Sequence, residues 1–189
     1  MNKRNTFHIN IKGSDLEFET DKGVFSPGGA DRGTLAMLEQ VDFSSTDKVL
    51  DLGCGYGLVG ILASKFTGAC NVVMSDISDE ALSLARANAM QNDAHEIQIV
   101  KSNGLDGIND RDFTLILSNP PYHVDFSVPK SFIEKGFRKL AIGGKMFMVT
   151  KRKEWYKNKF ISVFGGVKIV ESDGYYVFCA EKRLKIVNA

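Results

Sequence analysis

This sequence predicts an α/β fold built on a mainly parallel sheet covered on both faces, and three observations carry that reading. From about residue 48 onward, short apolar segments alternate with amphipathic helical ones. The first of the apolar segments runs straight into "DLGCGYGLVG" (51–60), a glycine-rich turn that opens a helix. The last two, "VKIVES" and "YYVFCAEK", are separated only by Asp173 and Gly174. A link that short holds no crossover helix, so this closing pair is antiparallel.

Each element follows in order. Residues 8–20, "HINIKGSDLEFET", alternate apolar and polar on both sides of "KGSD", the pattern of a β-hairpin. "GVFSPGGADRGT" is a glycine-rich loop, and "DRGTLAMLEQV" spaces Leu35, Leu38 and Val41 as a helix does. "KVLDL" is a buried strand, and "GLVGILASKF" a helix burying Leu58, Ile61, Leu62 and Phe66. "NVVMSD" is a strand and "SDEALSLARANAMQN" a helix whose first-turn acids suit the helix dipole. "EIQIVKS" and "FTLILS" are strands, residues 131–140 a helix, "GKMFMVT" a strand and "KRKEWYKNKFISVF" a helix. With the closing pair, the main sheet has seven strands. Residues 1–45 read as a hairpin-and-helix extension, and 46–189 as the core domain.

The bulk composition excludes several classes. The chain has 189 residues, 43% hydrophobic and 25% charged, as ordinary globular proteins are. It has no apolar run long enough for a transmembrane helix, and "MNKRNTFHINIKG" lacks the apolar stretch of a secretory signal. Cys54, Cys70 and Cys179 are odd in number and widely spaced, which predicts reduced cysteines in a cytoplasmic protein, with no metal site. Net charge is only +1, but residues 1–122 hold 10 Lys/Arg against 17 Asp/Glu, and residues 123–189 hold 14 against 6. Such asymmetry suits an anionic partner or merely solvates exposed helices.

In a sheet of this kind, ligands bind beyond the carboxyl ends of the strands. Asp51, Asp76, Asn103 and Asn119 stand at four such ends and converge on one rim. The opening turn admits two readings. As G-x-G-x-x-G (Gly55, Gly57, Gly60) it has the pattern of a dinucleotide-binding turn; as D-x-G-x-G-x-G (Asp51, Gly53, Gly55, Gly57) it resembles the S-adenosylmethionine loop of methyltransferases. Asp76 serves either, because a carboxylate there can accept from ribose hydroxyls. Asp51 separates them: a carboxylate repels a pyrophosphate, whereas S-adenosylmethionine offers an ammonium and a sulfonium.

In "LILSNPPYHVDF", Asn119-Pro120-Pro121-Tyr122 resembles the N-P-P-Y motif of methyltransferases that modify planar exocyclic or amide nitrogens. A planar exocyclic or amide nitrogen is a poor nucleophile, because its lone pair is delocalised. It needs acceptors on both N–H bonds so that the lone pair faces the methyl donor. The Asn119 side-chain oxygen and the Pro120 carbonyl can supply two, Pro121 stiffens the segment, and Tyr122 offers a ring for a base to stack on.

With both motifs in hand, the chain resembles class I S-adenosylmethionine-dependent methyltransferases of the methyltransferase small domain group, which includes 16S ribosomal RNA guanine-N2 methyltransferases. The resemblance runs from about Leu16 onward. It implies the Rossmann-like class I methyltransferase fold and places "KGVFSPGGADRGT", with Phe25 and a D-x-G, near the methionine end of the cofactor. It also implies Asp51, Gly53, Gly55 and Gly57 around the methionine moiety, Asp76 on the ribose, Ile77 against the adenine and Asn103 near its amino group. Asn119, Pro120, Pro121 and Tyr122 would then form the target-nitrogen site, and His123 matches an N-P-P-F-H variant of the ribosomal RNA enzymes. Those enzymes usually carry a second, N-terminal methyltransferase-like domain, whereas here only residues 1–45 precede the core.

The leading expectation is an S-adenosylmethionine-dependent N-methyltransferase acting on guanine N2 of ribosomal RNA, cytoplasmic and monomeric. RNA would be captured by the basic and aromatic segment 151–159, with Trp155 and Tyr156. The alternative targets are a protein glutamine amide, since N-P-P-Y serves that nitrogen too, and adenine N6, since "VFSP" also resembles the segment before the core in such enzymes. A non-catalytic RNA-binding module conflicts with intact Asp51, Asp76 and Asn119. A nicotinamide oxidoreductase conflicts with Asp51 and N-P-P-Y.

Overall fold

In the computed structural model, residues 5–21, 29–121 and 125–184 are described. The hairpin β1 (Asn5–Ile11) and β2 (Ser14–Thr20) turns at Lys12 and Gly13, both with positive φ (51° and 80°), the backbone that a two-residue hairpin requires. After α1 (Arg32–Glu39) the expected alternation sets in. It runs β3 (Val49–Leu52), α2 (Leu58–Thr67), β4 (Val72–Asp76), α3 (Asp79–Gln91), β5 (Gln98–Lys101) and β6 (Phe113–Ser118). α4 (Ser127–Lys139), β7 (Leu140–Thr150), α5 (Lys153–Phe164), β8 (Lys168–Ser172) and β9 (Tyr175–Glu181) complete it.

The seven-stranded sheet has the order β5-β4-β3-β6-β7-β9-β8, with β9 antiparallel to both β7 and β8 and the other pairs parallel. Two cores flank it. Strand alternation sends Val49 and Val72 into one, with α1, α2, α3 and the hairpin; Leu50, Leu52 and Val73 enter the other, with α4 and α5. Cys54, Cys70 and Cys179 are all free.

Three boundaries differ from the sequence reading, each for a local reason. α4 starts at Ser127 rather than 131, because Pro129 falls in its first turn, where no donor is needed, and Asp125 accepts from Ser127 N–H (2.8 Å). β7 starts at Leu140 and absorbs an irregularity in its pairing with β6 before the regular "GKMFMVT" run. α5 starts at Lys153, since Arg152 is extended (φ −107°, ψ 98°), which leaves Lys151 and Arg152 in the turn above the sheet.

The hairpin is joined to the core by two side chains that the helical pattern does not reveal. Asn88 of α3 and Asn92, its C-cap, lie one turn apart and behave as an extra strand along β2. Asn92 accepts from Glu17 N–H (3.1 Å) and donates to Glu17 carbonyl (2.7 Å). Asn88 accepts from Glu19 N–H (2.8 Å) and donates to the carbonyls of Glu19 (3.0 Å) and Tyr56 (2.9 Å). Phe7, Phe18 and Tyr56 meet in an aromatic cluster beneath, with ring centroids 5.6–6.0 Å apart. Asn88 is fully buried, so Asn88→Ala would strand backbone groups of both β2 and the glycine turn. The expected loss of stability is about 2–4 kcal/mol, read by urea unfolding. A loss below about 0.5 kcal/mol would mean that water replaces the amide.

Candidate active site

The glycine turn forms a backbone cradle at the end of β3. Gly53 and Cys54 N–H both donate to Ser75 carbonyl (2.8 and 2.9 Å), which pins the turn to β4. Gly53 and Gly55 have positive φ (76° and 55°), and a Cβ on either would meet nothing within 4 Å, so a ligand can approach bare backbone. Gly57 and Gly60 do something else. A Cβ on Gly57 would lie 3.2 Å from Ile61 and 3.3 Å from Met74; one on Gly60 would lie 2.4 Å from Met74 Cγ. Both glycines let α2 sit close on the sheet. Gly57 does not line the cavity.

Two carboxylates frame the cradle. Asp76 accepts from Gly55 N–H through one oxygen and from Ser78 N–H through the other, both at 2.9 Å. It thereby ties the glycine turn to the start of α3, and each oxygen keeps a second lone pair for a ligand hydroxyl. Asp51 is 2% exposed and accepts from Gly60 N–H at 2.8 Å. Burial pushes its pKa up to about 7, against the lowering effect of the Gly60 N–H; the Asp76 charge raises it further. Among the described residues no ion pair meets this buried carboxylate, and a cationic ligand would relieve it.

The cavity as a whole has a volume of about 410 Å³, suited to a nucleoside-sized ligand. Ile77, an apolar side chain 62% exposed, borders it, together with Asn103, Gly104, Val128 and Phe132. Ser75 Oγ is buried in the same wall with no hydrogen-bond partner among the described residues. Phe132 and Val128 come from the first half of α4 and are not evident in the sequence, because no motif marks them.

Asn119, Pro120 and Pro121 close the cavity at the end of β6. The Asn119 amide is oriented by the loop before α1: Nδ2 donates to Asp31 Oδ2 (2.8 Å) and to Thr34 Oγ1 (2.9 Å). Asp31 is itself the N-cap of α1, accepting from Thr34 N–H at 2.9 Å. Both N–H bonds of the amide are thus committed, which fixes Oδ1 as the end turned away from Asp31. Phe25, Tyr122 and His123 lie outside the described residues. The four strand-end residues Asp51, Asp76, Asn103 and Asn119 do share one cavity.

The basic segment 151–159 divides by helical phase. Tyr156 is 3% exposed, stacked toward Phe178 in the core, so its ring is not offered to a base. Lys159 is half-buried and ion-paired with Glu134 of α4. Lys151, Arg152 and Lys153 remain exposed at the rim. No helix among the described residues is long and apolar enough to cross a membrane.

Sheet order, the antiparallel last strands and a glycine cradle facing an Asn-Pro-Pro segment define the class I methyltransferase fold. The chain belongs to the methyltransferase small domain family, whose model matches residues 15–179. It is similar to the uncharacterized protein YbxB of Bacillus subtilis (strain 168), 29% identical over 186 residues, which are 95% of this chain and 92% of that protein. It is also similar to ribosomal RNA small subunit methyltransferase C of Serratia proteamaculans (strain 568), 31% identical over 166 residues, 86% of this chain and 47% of that protein. Among solved structures, the T. thermophilus 16S rRNA N2 G1207 methyltransferase (RsmC), in complex with AdoMet and guanosine, superposes with a TM-score of 0.82 at 27% identity. That match covers 95% of this chain and 51% of the other. The chain therefore spans about half the length of the ribosomal RNA methyltransferase relatives it matches.

Proposed function

We propose that the chain binds S-adenosylmethionine in this cavity and methylates an exocyclic amine of a nucleobase in RNA, namely guanine N2 of ribosomal RNA. The observation that carries the reading is the Asn119 amide, locked by Asp31 and Thr34 in the lining of the cavity that also holds the Gly53–Gly55 cradle. The small subunit methyltransferases among its relatives, and the guanosine bound in one of their structures, support the choice of base.

In this reading Gly53 and Gly55 pass beside the methionine moiety, with Asp51 meeting its cationic groups. Asp76 accepts from the ribose, and Ile77, Asn103, Gly104 and Phe132 hold the adenine. When bound, the cofactor supplies an electrophilic methyl group on a sulfonium. Asn119 Oδ1 and the Pro120 carbonyl accept the two N–H bonds of the target amine, turning its lone pair toward that methyl. Positive charge that develops on the nitrogen is met by the same two dipoles. The proton leaves afterwards, once the nitrogen is cationic, so no strong base is required. The fold favours a nitrogen over a hydroxyl or carbon acceptor because both acceptors are rigid and neutral.

The test is transfer of tritiated methyl from S-adenosylmethionine to ribosomal RNA of a strain lacking the gene, followed by nucleoside mapping. N2-methylguanosine is the expected product. Label in a protein glutamine, in adenine N6, or nowhere would overturn the assignment.

A further inference from the structure

The half of the rim above β6, β7 and β9 holds a built stack of rings and cations outside the cavity. Tyr156, buried in the core against Phe178 (ring centroids 5.7 Å), meets Trp155 edge-on at 5.1 Å. Trp155 stacks on Phe126 at 4.5 Å with 22° between planes, and the Arg152 guanidinium lies over the Phe126 ring at 4.9 Å. The pile rises from the core to the surface, where Phe126 is 37% exposed and Arg152 is exposed. Beside it, Lys151 sits over Tyr175 (4.8 Å) and Lys153 over Tyr176 (5.0 Å). Cations held on aromatic faces keep their charge at the surface in fixed positions. Among the described residues no ion pair neutralises Arg152 or Lys153. Of the nearby carboxylates, Asp125 is turned onto the Ser127 N–H, and Glu154 lies in the first turn of α5.

Topology places this terrace next to the target-nitrogen site. β6 and β7 are parallel neighbours with Ser118 opposite Met148, so Asn119 and the turn at Lys151–Arg152 leave the sheet side by side. The cavity is walled by the ends of β3, β4, β5 and β6, and none of its lining comes from β7, β8 or β9. A polymer bringing its amine to Asn119 can cross the β7 side, over the terrace. A flat guanidinium backed by two stacked rings suits a base face, and three consecutive cations suit phosphates. A duplex keeps its base faces covered and cannot use such a stack.

We propose that this terrace grips single-stranded RNA beside the target. A neighbouring base stacks on the outer face of Arg152, which Phe126 and Trp155 back, and its flanking phosphates meet Lys151 and Lys153. The proposal rests on the RNA reading of the site given above. It is tested on the full chain by fluorescence anisotropy with a short labelled single-stranded RNA and the same strand in duplex, at saturating S-adenosylhomocysteine. Arg152→Ala and Phe126→Leu should each weaken single-strand binding about tenfold, the scale of one base–side-chain stack. Arg152→Lys, which keeps charge without the plane, should fall between. Affinity for S-adenosylhomocysteine should be unchanged in all three, which shows that the site is intact. Single-strand binding within twofold of the parent chain in Arg152→Ala would overturn the proposal. So would an equal loss on duplex, or no single-strand binding by the parent. Methyl transfer is a separate readout. If label enters guanine while the variants bind normally, the terrace is wrong and the function stands; if no RNA is labelled while the losses appear, the reverse holds.

Discussion

Asn119→Ala should cut turnover on the RNA substrate by about a hundredfold or more, the scale of losing one preorganised polar group, while cofactor affinity barely changes. The size follows from how the amide is held. A free asparagine samples two amide orientations, one of which would present N–H groups to an amine that needs acceptors. Asp31 and Thr34 take both Nδ2 hydrogens, at 2.8 and 2.9 Å, so the oxygen is the end of the amide held away from them. Losing it removes an acceptor and the orientation of the lone pair together. Asp31→Ala should reproduce part of the defect, lowering the single-turnover rate with little change in cofactor binding, because the oxygen is present but no longer aimed. Near-normal turnover in Asn119→Ala would mean that other groups hold the nitrogen, leaving Asn-Pro-Pro as only a turn.

What the sequence shows and what it hides divide along the range of the interaction. Strand ends are legible because each buried apolar run stops at a polar residue, and Asp51, Asp76, Asn103 and Asn119 do reach one cavity. The Asp31–Asn119 contact is not, since it joins residues 88 apart and Asp31 already has a sufficient local explanation as a helix cap. Asn88 and Asn92 look like the polar face of α3, yet they are buried, because their partner is a strand edge instead of solvent. Gly57 matches a loop motif, but its place is set by how near α2 packs to Met74, which no ten-residue pattern encodes. Tyr156 and Trp155 are adjacent in a segment that reads as uniformly basic and aromatic. Only the phase of α5 sends one into the core and leaves the other half-buried above it.

The second large effect concerns Asp51, and it takes the form of a pH dependence. In the free chain this carboxyl has a pKa of about 7, because burial disfavours its charge more than the Gly60 N–H favours it. Below that pH it is protonated and neutral; above it, ionised. If it meets the cationic groups of S-adenosylmethionine, only the ionised form binds well. Binding must then release the Asp51 proton when the pH is below 7. The apparent affinity should be flat above about pH 7.5 and fall toward tenfold per unit as the pH drops through 7 to the lower pKa of the bound state. Asp51→Asn is the matching variant, since its side-chain oxygen can still accept from Gly60 N–H and the turn is kept. It should bind more weakly at pH 8, by roughly 1.5–3 kcal/mol, the worth of a hydrogen bond to a charged group. It should also lose the acid-side slope. Calorimetry in buffers of different ionisation enthalpy, between pH 5.5 and 8.5, reads both the affinity and the released proton. A parental affinity that stays constant across that range, with no proton release at pH 6, would place the cofactor's cationic groups away from Asp51. The buried acid would then serve only to hold the first turn of α2.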